Sequence, residues 1–215
     1  MQLMSVAKSS GIASLVGEVP VIPVLVIDRV DDAVPLAEAL LSAGLHILEV
    51  TLRTRDALLA VTRIREALPA AIVGVGSVIQ PPQFALAARA GAGFCVSPGS
   101  TSDLEAAAAA ASLPWLPGVQ TVSEILSLRA KGYSLMKFFP AEAVGGIDFL
   151  RSVAGPVPDV RFCPTGGISA LSAREYLKLA NVQCVGGSWM TPPDLVTQRR
   201  WDAIASLARE ARGLR

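Results

Sequence analysis

A chain of 215 residues that is 52% hydrophobic and only 17% charged is sized for one core, and it can hide that much apolar surface only if many elements are covered on both faces, which favours a layered α/β architecture. Lysine plus arginine total 19 against 18 acidic groups, and a net charge of +1 with no dense basic block excludes a nucleic-acid binder. Cys95, Cys163 and Cys184 lie far apart in apolar runs, an odd number without C-x-x-C spacing, which excludes a disulfide framework and a structural zinc site.

Along the chain, residues 1–16 read as an extra helix across one end of the domain. This segment contains Lys8 but no sustained apolar run and no small-residue cleavage site, so a soluble, cytoplasmic protein is expected. Apolar runs at 19–27, 45–50, 71–76, 93–96, 113–116, 134–139, 160–163 and 182–185 predict strands. Most are apolar at successive positions, as parallel strands are when both faces are covered. Helical patterns fill the gaps at 31–43, 57–68, 82–90, 102–111, 123–130, 147–153, 169–179 and 200–212; Ala57, Val61, Ile64 and Leu68, for example, share one helical face. The uncharged stretch 67–88 is long enough to raise the question of a membrane span, but Pro69, Pro81, Pro82, Gln80 and Gln83 make it a buried strand, a turn and a helix start. No membrane span is expected. Eight strand-then-helix units in this length predict a single (β/α)₈ TIM barrel over residues 1–215. A doubly wound sheet suits the same alternation, but the turn Ile27-Asp28-Arg29-Val30-Asp31-Asp32 lacks the glycines of a dinucleotide-binding fold.

Of the four lysines, Lys8, Lys131 and Lys178 sit in segments that read as exposed, whereas Lys137 lies inside Ser134-Leu135-Met136-Lys137-Phe138-Phe139-Pro140. Strand alternation sends Leu135, Lys137 and Phe139 to one face, among apolar neighbours that disfavour the ammonium form and leave an amine able to attack a carbonyl. The strand alone fits a snorkelling lysine or a buried ion pair equally well. In Leu48-Glu49-Val50-Thr51-Leu52-Arg53-Thr54, Glu49, Thr51 and Arg53 share parity at a strand end, where residues of different strands converge in a barrel. Glu49 and Lys137 can then meet, and Arg53 offers a fork for a carboxylate; an ordinary Glu-Arg pair is the plainer reading. Pro164-Thr165-Gly166-Gly167-Ile168 and Gly186-Gly187-Ser188 follow the last two strands and present backbone amides suited to a phosphate. His46 reads as a packing residue, and without a second histidine or an acidic cluster no metal is expected.

These motifs, with Pro117-Gly118-Val119-Gln120-Thr121-Val122-Ser123-Glu124, Lys137-Phe138-Phe139-Pro140-Ala141-Glu142, Arg161-Phe162-Cys163 and Trp189, make the chain resemble the 2-keto-3-deoxy-6-phosphogluconate (KDPG) aldolase and 4-hydroxy-2-oxoglutarate aldolase family over nearly its whole length. The resemblance implies a class I aldolase of the Entner-Doudoroff pathway that splits KDPG into pyruvate and glyceraldehyde 3-phosphate, with a covalent Schiff base on Lys137 and no cofactor. It makes Glu49 the general acid/base and Arg53 the holder of the pyruvyl carboxylate. The family's threonine near that carboxylate is Ser77 here. The resemblance assigns the phosphorylated end to Thr165, Gly166, Gly167, Gly187 and Ser188, makes Pro98 and Phe139 line the site, and implies a cytoplasmic homotrimer. The 6-phosphogalactonate and 4-hydroxy-2-oxoglutarate substrates are the alternatives within the family, with Thr165 favouring the gluconate. A phosphosugar isomerase or epimerase on the same barrel would use the phosphate loops and Glu49 but leave Lys137 without a covalent task.

Overall fold

The structure is a computed structural model that describes residues 5–17 and 19–215, and the side chains from residue 11 onward among these. The helix expected over 1–16 is found as α1 (Ser5–Val16), residues 1–4 of that expectation and the side chain of Lys8 lying outside what is described. Strands and helices then alternate: β1 (Val21–Leu25), α2 (Ala33–Ser42), β2 (Ile47–Thr51), α3 (Ala57–Ala67), β3 (Ile72–Gly76), α4 (Pro82–Arg89), β4 (Phe94–Val96) and α5 (Ser102–Ala111). The second half runs β5 (Trp115–Leu116), β6 (Gly118–Val119), α6 (Val122–Ala130), β7 (Leu135–Phe138), α7 (Gly146–Ala154), β8 (Arg161–Pro164), α8 (Ala170–Leu177), β9 (Val185–Gly187), α9 (Pro193–Thr197) and α10 (Trp201–Arg212). Capping sets several starts: Thr121 and Glu124 close a capping box on α6, and Ser169 with Ser172 closes one on α8.

All strand pairs are parallel, in a curled α/β arrangement, but pairing divides the strands into a six-stranded sheet, β5-β4-β3-β2-β1-β9, and a three-stranded sheet, β6-β7-β8, where one closed eight-stranded barrel is expected. Pro117 accounts for one division. It has no N–H to give, so the segment through it pairs with β4 before the proline and with β7 after it; Leu116 O accepts from Ser97 N at 3.3 Å and Pro117 O from Lys137 N at 2.8 Å. At the other division residues 182–184 run beside β8, whereas Val185–Gly187 pair with β1 while Gly186 also bridges back to the residue after β8. Isolated bridges Phe162↔Val182 and Thr165↔Gly186 span it, and Val21↔Val185 begins the β1 pairing. The strand expected at 182–185 is thus shifted to Val185–Gly187.

Strand parity separates two cores. Leu48 and Val50 of β2 and Met136 and Phe138 of β7 belong to a large cluster with helix residues such as Leu36, Leu40, Val61, Ile64 and Leu150. Their alternates Ile47 and Leu135 join a second cluster with Ile22, Phe94, Val96, Leu116, Cys163 and Cys184, closed by Ile12 and Val16 of α1. The inner cluster therefore sits near the N-terminal strand ends, and the inward positions one step further along β2 and β7 are Glu49 and Lys137. Gly74 makes room within it, because a Cβ there would overlap the ring of its register partner Phe94. Gln183 Nε2 pins α1 by donating to Ala13 O at 3.1 Å and Gly17 O at 3.2 Å. Among the described residues no helix is long and apolar enough to cross a membrane.

Ile12 is fully buried in the inner cluster. Ile12→Ala is expected to lower unfolding stability by about 2–5 kcal/mol through lost burial and the cavity left behind, measured as a shift of the urea midpoint without a change in its slope.

Candidate active site

The register of the sheets decides what faces the interior beyond the apolar plug. Glu49 lies opposite Val24 on β1 and Gly74 on β3, and Lys137 opposite Gly118 and Cys163. Across the interior, Lys137 Nζ donates to Glu49 Oε1 at 3.2 Å, with only 7% and 4% of the two side chains exposed. Space for the carboxylate comes from β3, because a Cβ on Gly76 would overlap Glu49 Oε1. The Phe139 ring centroid lies 5.4 Å from Lys137 Nζ, close enough for its face to attract the ammonium. An amine and a carboxylate brought together out of water can pass a proton between them, and an amine freed in this way is a nucleophile.

Phe139 links this pair to an open cavity of about 260 Å³ that it lines with Val24, Arg53, Thr165, Gly166, Gly167, Ile168, Gly186, Gly187 and Ser188. Arg53 is exposed on a segment tied down around it. Thr51 Oγ1 donates to Leu25 O at 2.9 Å, Thr54 Oγ1 to Ile27 O at 2.8 Å, and Leu52 N to Gly76 O at 2.9 Å. Opposite, Gly166 (φ +103°) and Gly167 (φ +80°) adopt left-handed backbone that side chains disfavour. Gly186 lacks a side chain where a Cβ would strike the Thr165 hydroxyl. Glycine loops thereby form one wall of the cavity, with Arg53 on the same cavity.

Of the residues expected from sequence, the structure brings Lys137 and Glu49 into contact and gathers Arg53, Phe139, Thr165, Gly166, Gly167, Gly187 and Ser188 around one cavity. Ser77 and Pro98 do not line that cavity. Ser77 follows β3 half-buried at φ +58°, and Pro98 is half-buried with its carbonyl where a Cβ on Gly118 would fall. His46 is corrected: it is exposed, not packed, and its backbone carbonyl accepts from Ile72 N. Val24 and Gly76 were missed; Val24 reads as one more apolar strand residue, whereas the alternate glycines Gly74 and Gly76 on one strand were a legible sign of close approach from the interior. Among the described residues no three of His, Cys, Asp or Glu gather as metal ligands. The three thiols are free and buried; burial pushes Cys95 up to about 12, and hydrogen bonding with Cys163, then burial, pushes Cys184 well up.

A sequence model described as KDPG and KHG aldolase matches residues 12–207. The KHG/KDPG aldolase of Escherichia coli K12 is 48% identical over 192 residues, covering 89% of this chain and 90% of the relative. The 2-dehydro-3-deoxy-phosphogluconate aldolase of Pseudomonas aeruginosa is 45% identical over 204 residues, 95% of this chain and 93% of the relative. Among solved structures, the Legionella pneumophila KDPG aldolase, with pyruvate captured as a covalent carbinolamine, superposes with a TM-score of 0.89 at 45% identity over 92% of this chain and 96% of that one. The Zymomonas mobilis ZM4 enzyme with 3-phosphoglycerate does so at 0.89 and 43% identity, over 96% and 97%. These matches define a carbon–carbon lyase of the aldolase type. Within that class, the chain belongs to the KDPG and KHG aldolase family.

Gly76→Ala is expected to fold yet lose about a hundredfold in kcat, because the new methyl group displaces the Glu49 carboxylate by an ångström or so; steady-state kinetics beside circular dichroism measure it. An aromatic disulfide reagent is expected to leave the native protein unlabelled and to modify all three cysteines once it is unfolded.

Proposed function

We propose that the protein is a class I aldolase that cleaves KDPG to pyruvate and glyceraldehyde 3-phosphate through a Schiff base on Lys137. The observation that carries this reading is the buried 3.2 Å contact between Lys137 Nζ and Glu49 Oε1 beside an anion-suited cavity. Neutral Lys137 adds to the C2 ketone, and loss of water from the carbinolamine gives an iminium. Glu49 takes the C4 hydroxyl proton; the C3–C4 bond breaks, its electron pair moves into the iminium, and glyceraldehyde 3-phosphate departs. The enamine left on Lys137 takes a proton at C3, and water then hydrolyses the imine to release pyruvate and the amine. No cofactor is needed, because the iminium itself accepts the electrons.

In this reading Arg53 and the Ser77 hydroxyl hold the pyruvyl carboxylate, while Thr165, the amides of Gly166, Gly167 and Gly187, and Ser188 take the phosphorylated end, with Phe139 and Pro98 flanking the chain between them. The pyruvate carbinolamine of the Legionella relative and the 3-phosphoglycerate of the Zymomonas one support the two halves of that assignment. The Escherichia coli relative, a KHG/KDPG aldolase by name, favours 4-hydroxy-2-oxoglutarate as a second substrate. We further propose that the two sheets work as one (β/α)₈ barrel in a single domain. The unbroken chain through Pro117 and the bridges between β8 and residues 182–186 support this. The assembled state in this proposal is a cytoplasmic homotrimer. Exposed apolar side chains such as Leu59, Ile79, Leu126 and Leu171 supply surface for an interface.

Sodium borohydride added with pyruvate is expected to leave one reduced pyruvate adduct, mapped by peptide mass spectrometry to Lys137. An unmodified Lys137, or full activity in Lys137→Ala, rejects the mechanism. Glu49→Gln is expected to lower kcat by about 10²–10⁴-fold, read from pyruvate release with the gluconate, galactonate and oxoglutarate substrates side by side.

A further inference from the structure

Gly166 and Gly167 have no side chains with which to hold their own loop in place, so their amides can be aimed at an anion only by what packs around them. Two neighbours do this. The segment after β7 docks along the loop: Ala141 N donates to Thr165 O at 2.8 Å and Glu142 N to Gly166 O at 3.2 Å. The approach is tight enough that a Cβ on Gly167 would lie 2.9 Å from Cβ and Cγ of Glu142. The loop then runs into α8, whose Tyr176 is fully buried. The Tyr176 hydroxyl and the Glu142 carboxylate converge, since a Cβ on Gly146 would lie 3.0 Å from the former and 3.9 Å from Glu142 Oε2. No well-formed hydrogen bond reaches that hydroxyl. Burial first, and then the neighbouring Glu142 carboxylate, push the phenol above its ordinary range. Neither residue lines the cavity, so neither meets substrate there.

We infer that Glu142 and Tyr176 are positioning residues for the phosphate end of the site: Tyr176, acting through Glu142, fixes the Gly166–Gly167 amides relative to Lys137. The strand that carries Lys137 continues into Glu142, the glycine loop continues into α8, and the convergence of the Tyr176 hydroxyl and the Glu142 carboxylate beside Gly146 closes the ring between them. The two ends of a substrate bound between amine and amides are then held at one spacing. This inference rests on the phosphate assignment proposed above.

The test compares wild type, Tyr176→Phe and Glu142→Gln on KDPG and on the unphosphorylated 4-hydroxy-2-oxoglutarate, with pyruvate and borohydride trapping alongside. Tyr176→Phe removes one oxygen, and Glu142 is exposed, so at least one variant folds. Each variant is expected to raise KM for KDPG about tenfold with kcat within ~twofold of wild type, leaving KM for 4-hydroxy-2-oxoglutarate and the trapping yield unchanged. The inference is overturned if KM for KDPG stays at the wild-type value while wild type still prefers the phosphorylated substrate. It is also overturned if both KM values rise alike, which marks general damage. A wild type that shows no such preference, and that inorganic phosphate does not inhibit, refutes the phosphate assignment itself, and the inference falls with it.

Discussion

Two opposite charges share the dry interior of this protein, and neither can be there without the other. Taking an ammonium or a carboxylate out of water costs several kcal/mol each, and removing one partner of such a pair strands the other at a penalty of about 3–5 kcal/mol. With their side chains 7% and 4% exposed, Lys137 and Glu49 must therefore stay in contact for the fold to tolerate them. This requirement fixes the surrounding backbone. A slip of one residue along β2 would send Glu49 into the helix-facing cluster among Leu36 and Val61 and bring Leu48 or Val50 inward. Gly76 must be bare, or the carboxylate has no place to sit. The apolar plug of Ile12, Val16, Ile47 and Leu135 beneath the pair seals that end of the interior.

At the other end the constraints change character. Arg53, Ser188 and Gly167 are exposed, and four of the ten residues that line the cavity are glycines. A buried ion pair is held by packing from every side, whereas an open wall of glycines is held only from behind. The support there comes from ladder-like hydrogen bonds of Ala141 and Glu142, from the capping box of Ser169 and Ser172, and from threonines 51 and 54 reaching to the end of β1 and the segment just after it. The division suits a substrate with one end that reacts in a water-poor site and another that needs only to be gripped.

What could be read from the chain was whatever depends on local alternation. The parity of Leu135, Lys137 and Phe139 put the amine on one strand face among apolar neighbours, and the parity of Glu49, Thr51 and Arg53 put acid and guanidinium together on another, because side chains alternate along a strand. The glycine loops were legible because positive φ has few residue solutions. Pairing partners were not. Nothing local says that Pro117 lets one segment serve two neighbours, or that the segment 182–187 pairs with β1 only from Val185 on, since those choices are made by distant chain. His46 was misjudged for a related reason: it precedes β2 by one residue, and alternation does not govern a position outside the strand. The short α9 behind Pro192 went unread because five residues carry too little periodicity.

The ion pair also dictates how the proposed reaction can begin. A lysine that must attack a carbonyl has to surrender a proton, and in a dry interior a proton released to no acceptor would leave Glu49 as an uncompensated charge. Transfer from Nζ to Oε1 across 3.2 Å avoids this, turning two buried charges into two neutral groups at once. Attack on the ketone then places a negative charge on the carbonyl oxygen and a positive one on Nζ; the proton on Glu49 neutralises the oxygen, and that oxygen leaves as water with one of the Nζ protons. In the iminium the positive charge stays on Nζ, Glu49 is a carboxylate again, and the original pairing is restored with the substrate attached. That carboxylate is what the C4 hydroxyl must meet for the C3–C4 bond to break. The same two atoms thus alternate between charged and neutral pairs through the cycle, and at no step does the interior hold a lone charge.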